Sequence, residues 1–256
     1  MKKGISVVII AGNEEKVIKR ALDSASWADE IILVAANSTD KTVELAQKRV
    51  SRIVKTKDEY GRHFAKWRNL GLKTASFDWI FYLDADEVIS GELKKELLKL
   101  VKGKTEEFGW YVVPRQNYFL GRRVRFGGSY PDYVKRFFKK AKLKRWQGRV
   151  HEEPLTNGPM GKLTGHLLHF THTDLSSMLD KTIIWTDTEA EALYQSGHPP
   201  IVWWRIVRMM LTKFWERVIK QQSFRDGIVG WINSIFEVFN TFIIYAKLWE
   251  KQQKKL

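Results

Sequence analysis

Apolar runs and amphipathic segments alternate through the first part of the chain. Four runs are rich in β-branched or aromatic side chains, as expected of strands that are buried on both faces of a sheet. The segments between them space their apolar residues three and four apart, which is typical of amphipathic helices. The predicted strands are residues 5–10, 30–35, 51–56 and 78–87, and the predicted helices lie within residues 11–26, 38–49 and 61–76. This alternation predicts an α/β, Rossmann-like fold with a mostly parallel sheet and right-handed crossovers.

Polar residues before the first two helical patterns predict their N-caps. Asn13 precedes the first pattern, and Ser38 or Thr39 precedes the second. Side-chain oxygens at such positions accept hydrogen bonds from backbone N–H groups that lack a partner in the first turn.

The character of the chain changes in its last third. Residues 175–197 predict a helix that is capped by Thr173 or Asp174 and that ends at the Gly-His-Pro-Pro sequence. We therefore expect one α/β domain over residues 1–174 and a helical region over residues 175–256.

Residues 201–220 predict a strongly amphipathic helix. On a helical wheel one side carries Trp203, Trp204, Val207, Met210, Leu211, Phe214 and Val218. The other side carries Arg205, Lys213, Glu216, Arg217 and Lys220. A large apolar face with tryptophans and a basic opposite face is typical of a helix that lies in a membrane interface. Packing of this helix on the α/β domain is the alternative.

A second, more apolar helical pattern covers residues 227–250. Asn233, Glu237 and Asn240 interrupt it, whereas a transmembrane helix needs about twenty mostly apolar residues. We expect an interfacial or re-entrant segment, and the helical region as a whole is predicted to associate with a membrane.

Composition narrows the chemistry. The 256 residues include no cysteine, which excludes disulfides, thiolate catalysis and cysteine-bound zinc. The apolar run near the N-terminus spans only about seven residues, which is short for a signal peptide. We therefore expect a cytosolic, mature N-terminus.

Three acids end the fourth predicted strand, although the chain carries a net charge of +15. They are Asp84, Asp86 and Glu87. Burying a carboxylate is costly unless a cation or hydrogen bonds compensate, so either this strand ends in solvent or a positive group lies there. Ligands bind beyond the carboxyl ends of strands in α/β sheets, and paired carboxylates suit a hard divalent cation. The pattern indicates a site at this strand end.

The order of several motifs resembles a known family. The N-terminal segments SVVIIAGNEE, NSTDKT, RNLGL and YLDADE are similar to the nucleotide-sugar-binding half of the inverting family 2 glycosyltransferases, which have a GT-A fold. Later segments resemble the subgroup typified by the lipopolysaccharide core β-1,4-glucosyltransferase, namely YPDYVKRFF, GRVHEE, LLHFTH and YAKLWE. The resemblance implies a GT-A catalytic domain over residues 1–174.

The resemblance also implies roles for residues in the donor half. Asp84 and Asp86 match the Asp-x-Asp motif that binds metal and diphosphate, with Asp86 as the direct ligand of Mg²⁺ or Mn²⁺. Arg68 and Asn69 match the segment that faces the base and the diphosphate, although an exposed helix face is the alternative. The implied nucleotide-sugar contacts are Glu14, Glu15, Asp40, Arg68, Asn69 and Asp84. Asp40 lies at a helix start, where it could serve only as a cap.

One position departs from the family pattern. Relatives carry Asp-Ser-Gly-Ser-Thr-Asp after the second strand, whereas this chain has AANSTD, so Ala35 stands where an Asp grips the base. An alanine offers no hydrogen bond, which weakens discrimination between bases.

The GRVHEE segment is expected to supply the acceptor side of the chemistry. An inverting transferase needs a base that deprotonates the acceptor hydroxyl, and Glu152 matches the family position of that base. Glu153 is the competitor, but neighbouring strand residues point to opposite faces. His151 is expected to complete the metal shell or to contact diphosphate.

Three further histidines, His166, His169 and His172, recur at a spacing of three. In a helix they would share one face and resemble a zinc cluster. The family resemblance instead implies a strand that returns to the site.

Most of the positive charge is concentrated in one segment. Residues 115–149 contain twelve Lys or Arg and one acid, Asp132. A solvated face and nucleic-acid binding are alternatives, with nucleic acid disfavoured. The position of this segment between the two motif groups favours an anionic acceptor or an anionic membrane surface.

Taken with these patterns, the family resemblance implies a metal-dependent, inverting hexosyltransferase that uses a nucleotide sugar, with a UDP-hexose as first candidate. The expected acceptor is a lipid-linked or anionic glycan such as lipopolysaccharide core. We expect the protein to act as a peripheral or monotopic protein on the cytoplasmic face of the inner membrane. The alternative is a degenerate transferase scaffold that binds membranes or nucleic acid, which the retained Asp84, Asp86 and Glu152 disfavour.

Overall fold

A computed structural model describes residues 2–57, 63–103, 107–148 and 152–253. The chain divides into two compact units. Unit 1 comprises Met1–Arg115 and Asp132–His169, and unit 2 comprises Gln116–Pro131 and Phe170–Leu256. The segment Gln116–Pro131 thus belongs with the C-terminal helices, a grouping that local sequence pattern does not reveal.

Four parallel strands form the N-terminal half of the sheet in unit 1. They are β1 (Lys2–Ala11), β2 (Glu30–Ala36), β3 (Arg52–Thr56) and β4 (Phe77–Asp84), in the spatial order β3-β2-β1-β4. Ile10 of β1 lies opposite both Val34 of β2 and Asp84 of β4. The loops that follow these three strands therefore leave the same edge of the sheet.

The helices between these strands are shorter than the sequence predicts. They are α1 (Ile18–Ala25), α2 (Thr42–Ala46) and α3 (Phe64–Thr74), followed after β4 by α4 (Gly91–Lys102). The predicted caps of the first two helices are wrong. Val17 and Lys41 occupy the N-cap positions, and neither side chain makes a capping hydrogen bond. Asn13 adopts a positive φ of 59°, and its side chain accepts a hydrogen bond from the Thr39 backbone N–H in the loop after β2.

Mostly antiparallel strands complete the sheet. The remaining strands are β5 (Glu87–Ile89), β6 (Trp110–Phe119), β7 (Arg122–Arg123), β8 (Asp132–Lys139), β9 (Leu143–Gln147), β10 (Glu153–Thr156), β11 (Met160–Lys162) and β12 (Leu167–His172). Beyond β4 the order continues β8-β6-β12-β5, and β11 pairs with β6 in parallel. A 3₁₀ turn at Lys140–Lys142 separates β8 from β9. Strands β9 and β10 form a hairpin of their own outside this sheet.

Both faces of β2, β1 and β4 are covered, whereas the edge strand β3 is partly exposed, contrary to the expectation that all four strands are buried. Alternate residues such as Ile9, Leu33 and Phe81 pack into one core, and Ile10, Ile32 and Tyr82 pack into another. Burial on both faces explains why the strands read as nearly continuous apolar runs. The predicted α/β fold class with a C-terminal helical region is confirmed.

Three helices account for most of unit 2. They are α5 (Leu175–Gln195), α6 (Trp203–Phe214) and α7 (Ile228–Gln253). Of the two predicted caps of α5, Thr173 and Asp174, it is Asp174 that caps the helix, because its carboxylate accepts a 2.7 Å hydrogen bond from the Ser177 backbone N–H. Helix α7 is the one helix in the described part of the chain that is long and apolar enough to cross a membrane, by length and composition alone.

The outer face of α6 differs from the helical-wheel prediction near its end. Trp215–Lys220 continues the helix with π-type hydrogen bonding, and a 3₁₀ turn follows at Ser223–Asp226. A π-turn contains more residues than an α-turn and so rotates the later side chains. Val218, predicted on the exposed apolar side, is buried, whereas Trp215 and Ile219 are exposed.

Candidate active site

Two arginines compensate the carboxylate at the tip of β4. Arg68 Nη2 donates to Asp84 Oδ1 at 3.2 Å, and Arg136 Nη2 bonds Asp84 Oδ2. Burial acts to raise the pKa of Asp84, but Arg136 and then Arg68 hold that pKa below its ordinary value. The positive groups that the acidic strand end requires are therefore supplied by the protein itself.

The same arginine network anchors Glu87. This side chain is fully buried, and its Oε1 accepts hydrogen bonds from Arg136 Nη2 at 2.7 Å and Arg115 Nη1 at 3.3 Å. Its Oε2 accepts from the Asp84 backbone N–H at 3.0 Å. Burial alone lowers the pKa of Arg136, but Asp84 and Glu87 raise it above its ordinary value. Glu87 thus fixes the turn after β4, and two of the twelve basic residues of the 115–149 segment serve this internal network.

Asp86 lies beside a histidine from the returning strand. His169 Nε2 is 3.5 Å from Asp86 Oδ2, and both side chains are partly exposed. The strand pairing explains this contact, since β12 runs antiparallel to β5 with His169 opposite Glu87. In the sequence His169 is one of three histidines spaced three apart. Its proximity to Asp86 follows only from the pairing of β12 with β5.

The residues at this position fit a divalent cation. A carboxylate and an imidazole are ligands that Mn²⁺ accepts, and Mg²⁺ needs only one or two carboxylates when waters and substrate phosphates complete its shell. Over the described ranges, no group of three or more His, Cys, Asp or Glu side chains is assembled that could hold a metal by itself. A cation here would therefore depend on ligands from the substrate. His151, the other predicted ligand, lies outside the described residues.

Glu152 and Glu153 have different partners. Glu152 Oε1 accepts hydrogen bonds from Arg68 Nη2 at 3.0 Å and Arg68 Nε at 3.2 Å. Glu153, the first residue of β10, instead pairs with Lys135 and is exposed. Arg68 therefore brings Glu152 to the carboxyl end of β4, next to Asp84.

Asn69 contacts the backbone of β9. Its Nδ2 donates to the Trp146 carbonyl oxygen and its Oδ1 accepts from the Trp146 backbone N–H, both at 2.8 Å. Sequence reasoning missed Trp146, Arg136 and Arg115 as partners of the predicted site residues. Only the acid-rich strand end, which requires positive charge, pointed toward the arginines.

The loops after β1 and β2 are joined by polar side chains. Asn13 Oδ1 accepts hydrogen bonds from the backbone N–H groups of Thr39 at 2.8 Å and Asp40 at 3.3 Å. Asp40 accepts from the Glu15 backbone N–H at 3.0 Å, and Glu15 in turn accepts from the Lys41 N–H at 3.0 Å. Three predicted donor-site positions therefore lie together at this edge of the sheet, since Glu14 precedes Glu15.

The Asp40 side chain also stabilises the backbone turn that follows it. Its Oδ1 accepts from the Thr42 backbone N–H at 3.0 Å, and Thr42 Oγ1 accepts from the Glu14 N–H at 2.8 Å. Desolvation acts to raise the pKa of Asp40, but the hydrogen bonds from Thr42 and Glu15 lower it below its ordinary value. Asp40 thus remains an ionised acceptor in this loop.

At Ala35 the chain lacks the aspartate of the family motif, but the loop after β2 keeps its turn. Ala35 is buried at the end of β2, opposite Ala11 of β1. Asn37, which stands where the family motif has glycine, adopts a positive φ of 52°. Asparagine tolerates this left-handed conformation better than most residues, so the loop keeps a turn that glycine otherwise provides.

Comparison with known proteins identifies the family. Residues 6–160 match the family described as Glycosyl transferase family 2. The chain belongs to this family. The family and the glycosyltransferase class that the motifs predict are therefore confirmed.

Two relatives of this family 2 glycosyltransferase match it over nearly its whole length. It is 27% identical to the lipopolysaccharide core biosynthesis glycosyltransferase LpsC of Rhizobium meliloti (strain 1021), over 99% of this chain and 95% of that protein. It is 25% identical to an uncharacterized glycosyltransferase of Rickettsia bellii (strain RML369-C), over 98% of this chain and 87% of that protein. Among solved structures, S. aureus TarS 1-349 in complex with UDP-GlcNAc is similar with a TM-score of 0.49 and 15% identity, covering 100% of this chain and 92% of that chain.

Proposed function

We propose that this family 2 glycosyltransferase transfers a hexose from a nucleotide sugar, with inversion, to a lipid-linked or anionic glycan. The observation that carries the proposal is the junction of Asp84, Arg68 and Glu152 at the carboxyl end of β4. It joins the predicted donor motif to the predicted base. A UDP-hexose is the first donor to test.

The donor half of the site is assigned to the loops after β1, β2 and β4. Glu14, Glu15 and Asp40 lie in the first two loops, where the nucleotide is expected, and Asp84 lies at the third. Asp86 and His169 would hold a divalent cation, whose chemistry is to neutralise charge on the departing diphosphate. In this proposal His169 takes the place that the sequence analysis gave to His151 or shares it with that residue.

Glu152 is proposed as the general base. Its carboxylate accepts the proton of the acceptor hydroxyl while that oxygen attacks the anomeric carbon from the side opposite the diphosphate. The bond to the diphosphate breaks as the new glycosidic bond forms, so the anomeric configuration inverts. Arg68, which donates two hydrogen bonds to Glu152, keeps this carboxylate oriented.

The acceptor proposal is supported by the relative and by the remaining positive charge. The similar protein LpsC is named for lipopolysaccharide core biosynthesis and matches nearly the entire chain. In unit 1, Arg136 and Arg115 form ion pairs with the buried Glu87. The basic residues that remain exposed include Lys142, Lys144 and Arg145. Exposed cations suit a phosphorylated or acidic glycan.

Unit 2 offers a surface suited to an anionic membrane. We define the α6 surface by its exposed residues Trp203, Trp204, Val207, Arg208, Leu211, Trp215 and Ile219. Residues 203–220 carry five basic side chains and one acidic side chain. Arg205 and Arg208 both lie over the ring of Trp204, at 5.5 and 5.8 Å from its centroid. Bulky apolar groups beside guanidinium groups favour insertion among anionic headgroups.

Helix α7 is proposed to lie in the membrane plane. It runs parallel to α5, because Thr182 bonds Asn240 at 2.9 Å and, further along both helices, Glu191 bonds Lys251 at 2.7 Å. Asp187 and Lys247 form another ion pair at 2.8 Å between these helices. If α7 crossed the bilayer, these charged groups would enter hydrocarbon at a cost of several kcal/mol. The contacts therefore support a monotopic rather than a membrane-spanning position of α7.

A donor scan tests the enzymatic proposal. Purified full-length protein is titrated with UDP, GDP, ADP and CMP in the presence of Mn²⁺ or Mg²⁺, and each corresponding sugar donor is tested for turnover with purified lipopolysaccharide acceptors. We expect one nucleotide to bind with a clear metal requirement and its sugar to be transferred. Absence of binding by every nucleotide, with the protein folded, would support the degenerate-scaffold alternative.

A further inference from the structure

We propose that Arg68 and Asn69 are positioning residues that hold the catalytic-base hairpin, and that they are not ligands of the nucleotide. The base hairpin is defined as the paired strands β9 (Leu143–Gln147) and β10 (Glu153–Thr156), together with Glu152 directly before β10. This inference rests on the proposed function, since it assumes that Glu152 is the base. It reverses the role that the family resemblance implies for both residues.

The base hairpin needs external support. Among the residues that the structure describes, strands β9 and β10 pair with each other and not with the main sheet. An isolated two-stranded hairpin is marginally stable in water. Leu143 and Trp146 anchor the base hairpin by packing into the core that also contains Trp67 of α3 and Ile32 of β2. These apolar contacts hold β9 but do not by themselves fix the orientation of the Glu152 carboxylate.

Asn69 ties β9 to α3 through both ends of its amide group. The paired 2.8 Å hydrogen bonds to the N–H and C=O of Trp146 imitate the pairing of a neighbouring strand. Both the oxygen and the amide nitrogen of Asn69 are thereby engaged with backbone. An Asn in this arrangement sets the register of β9 relative to the helix, which a nucleotide contact does not require.

Arg68 fixes the other end of the base hairpin. The side chain is only 4% exposed, and Nε and Nη2 both point to Glu152 Oε1. Nη2 also reaches Asp84 Oδ1 at 3.2 Å. One guanidinium group therefore links the base to the strand that carries the donor motif.

Aromatic rings enclose this guanidinium group. Its central carbon lies 4.9 Å from the Trp146 ring centroid and 5.6 Å from the Tyr82 ring centroid. Tyr82 also donates a 3.2 Å hydrogen bond to the Arg68 carbonyl oxygen. Stacking on aromatic faces suits the planar arginine but not a lysine ammonium. Trp146 thus contacts Arg68 through its ring and Asn69 through its backbone. Arg68 and Asn69 therefore act together on the same residue of β9.

The first test measures the base hairpin directly and does not depend on any substrate. Hydrogen–deuterium exchange of the full-length protein is followed in peptides covering residues 143–156. In Asn69→Ala and Arg68→Lys we expect exchange in these peptides to become faster by about tenfold or more, while the core strands keep their protection. The matched control is Lys73→Met, which removes an exposed positive charge from the same helix. Unchanged exchange in both variants would overturn the proposal.

The second test separates positioning from nucleotide contact. UDP binding in the presence of Mn²⁺ is measured by calorimetry, and kcat and KM are measured for UDP-hexose transfer. Positioning predicts that the Kd for UDP stays within about threefold of wild type while kcat falls, because the base is displaced whereas Asp84 of the donor site keeps its ion pair with Arg136. A rise of tenfold or more in the Kd for UDP, with kcat preserved, would mean that these residues bind the nucleotide.

A double variant gives the sharpest readout. If Arg68 acts through Glu152, the loss of kcat in Arg68→Lys combined with Glu152→Gln should not exceed that of Glu152→Gln alone by more than about threefold. Multiplicative losses would contradict the proposal. Failure of the proposed function is recognised separately, because wild-type protein would then neither bind nor turn over a nucleotide sugar, whereas the exchange experiment still reports on the base hairpin.

Discussion

Arg68 Nη2 and Glu152 Oε1 are 3.0 Å apart although the two residues are separated by 84 positions in the sequence. The same nitrogen lies 3.2 Å from Asp84 Oδ1. This single guanidinium group joins the acidic end of β4 to the segment that carries the proposed base. Both the proposed donor site and the proposed base depend on this junction.

Removal of Asp86 is expected to abolish metal-dependent nucleotide binding. In Asp86→Ala, the affinity for UDP with Mn²⁺ should fall by tenfold or more, to about the level of wild type in EDTA, because one proposed metal ligand is lost. His169→Ala should give the same direction of change. Calorimetric titration, with melting temperature as the control for folding, measures both. Equal UDP affinity of wild type and Asp86→Ala would exclude the metal role of Asp86.

Replacement of the base is expected to separate binding from chemistry. Glu152→Gln keeps the shape of the side chain but cannot accept the proton, so transfer should fall by roughly a hundredfold or more while UDP binding is retained. Glu153→Gln is the matched control, because that carboxylate pairs with Lys135 and is exposed. A larger loss in Glu153→Gln would move the base assignment by one residue.

Glu30 should make stability depend on pH away from the active site. This buried carboxylate accepts hydrogen bonds from Ser6 Oγ at 2.7 Å, Ser76 N–H at 2.8 Å and Ser76 Oγ at 2.9 Å. Desolvation acts to raise its pKa, but these hydrogen bonds lower the pKa below its ordinary value of 4.5. A lowered folded-state pKa stabilises the fold above that value and loses this contribution as the pH falls below it.

Glu30→Gln should therefore reduce the free energy of unfolding by about 1–3 kcal/mol at pH 7. The difference from wild type should shrink as the pH falls through and below 4.5, the ordinary pKa of the group. Urea unfolding at several pH values measures this difference. A constant difference across the range would show that the lost stability comes from packing and not from ionisation.

Membrane binding is expected to depend on the α6 surface. The triple variant Trp203→Ser, Leu211→Ser and Trp215→Ser removes exposed side chains, so it should stay folded but lose flotation with vesicles containing anionic phosphatidylglycerol. Changing Arg205 and Arg208 to Gln should weaken binding most at low salt, since the attraction to headgroups is screened by ions. Tyr133→Ser is the control, because it removes an exposed aromatic residue from unit 1. Equal flotation of wild type and the triple variant would assign α6 another role.

Point variants are a better test here than cutting the chain after Gly197. Val229 of α7 packs with Met178 of α5 and with Phe119 and Val124 in one buried cluster of unit 2. Removal of α7 would expose that cluster and could unfold unit 2. Loss of membrane binding in such a truncated protein would not distinguish a missing membrane contact from misfolding.

The sequence by itself determined the class of the molecule. Continuous β-branched runs identified the buried parallel strands, helical spacing identified the C-terminal helices, and the polar pair Thr173 and Asp174 identified the start of α5, because these signals lie within a few neighbouring residues. The ordered motifs also identified the family. The same local reasoning assigned Asn13 to a helix cap, but its side chain instead joins two loops that only the parallel sheet brings together.

Only the tertiary structure decided which charges meet. Asp84 is paired with Arg136 from β8 and Arg68 from α3, and Asp86 lies beside His169, because strand order and register set these distances. The basic segment 115–149 looked like one exposed surface in the sequence. In the structure Arg136 of this segment is buried and pairs with the carboxylates of Asp84 and Glu87. Periodicity along a chain reports which face of an element is apolar, but the cost of an unpaired buried charge is settled by partners that are distant in sequence.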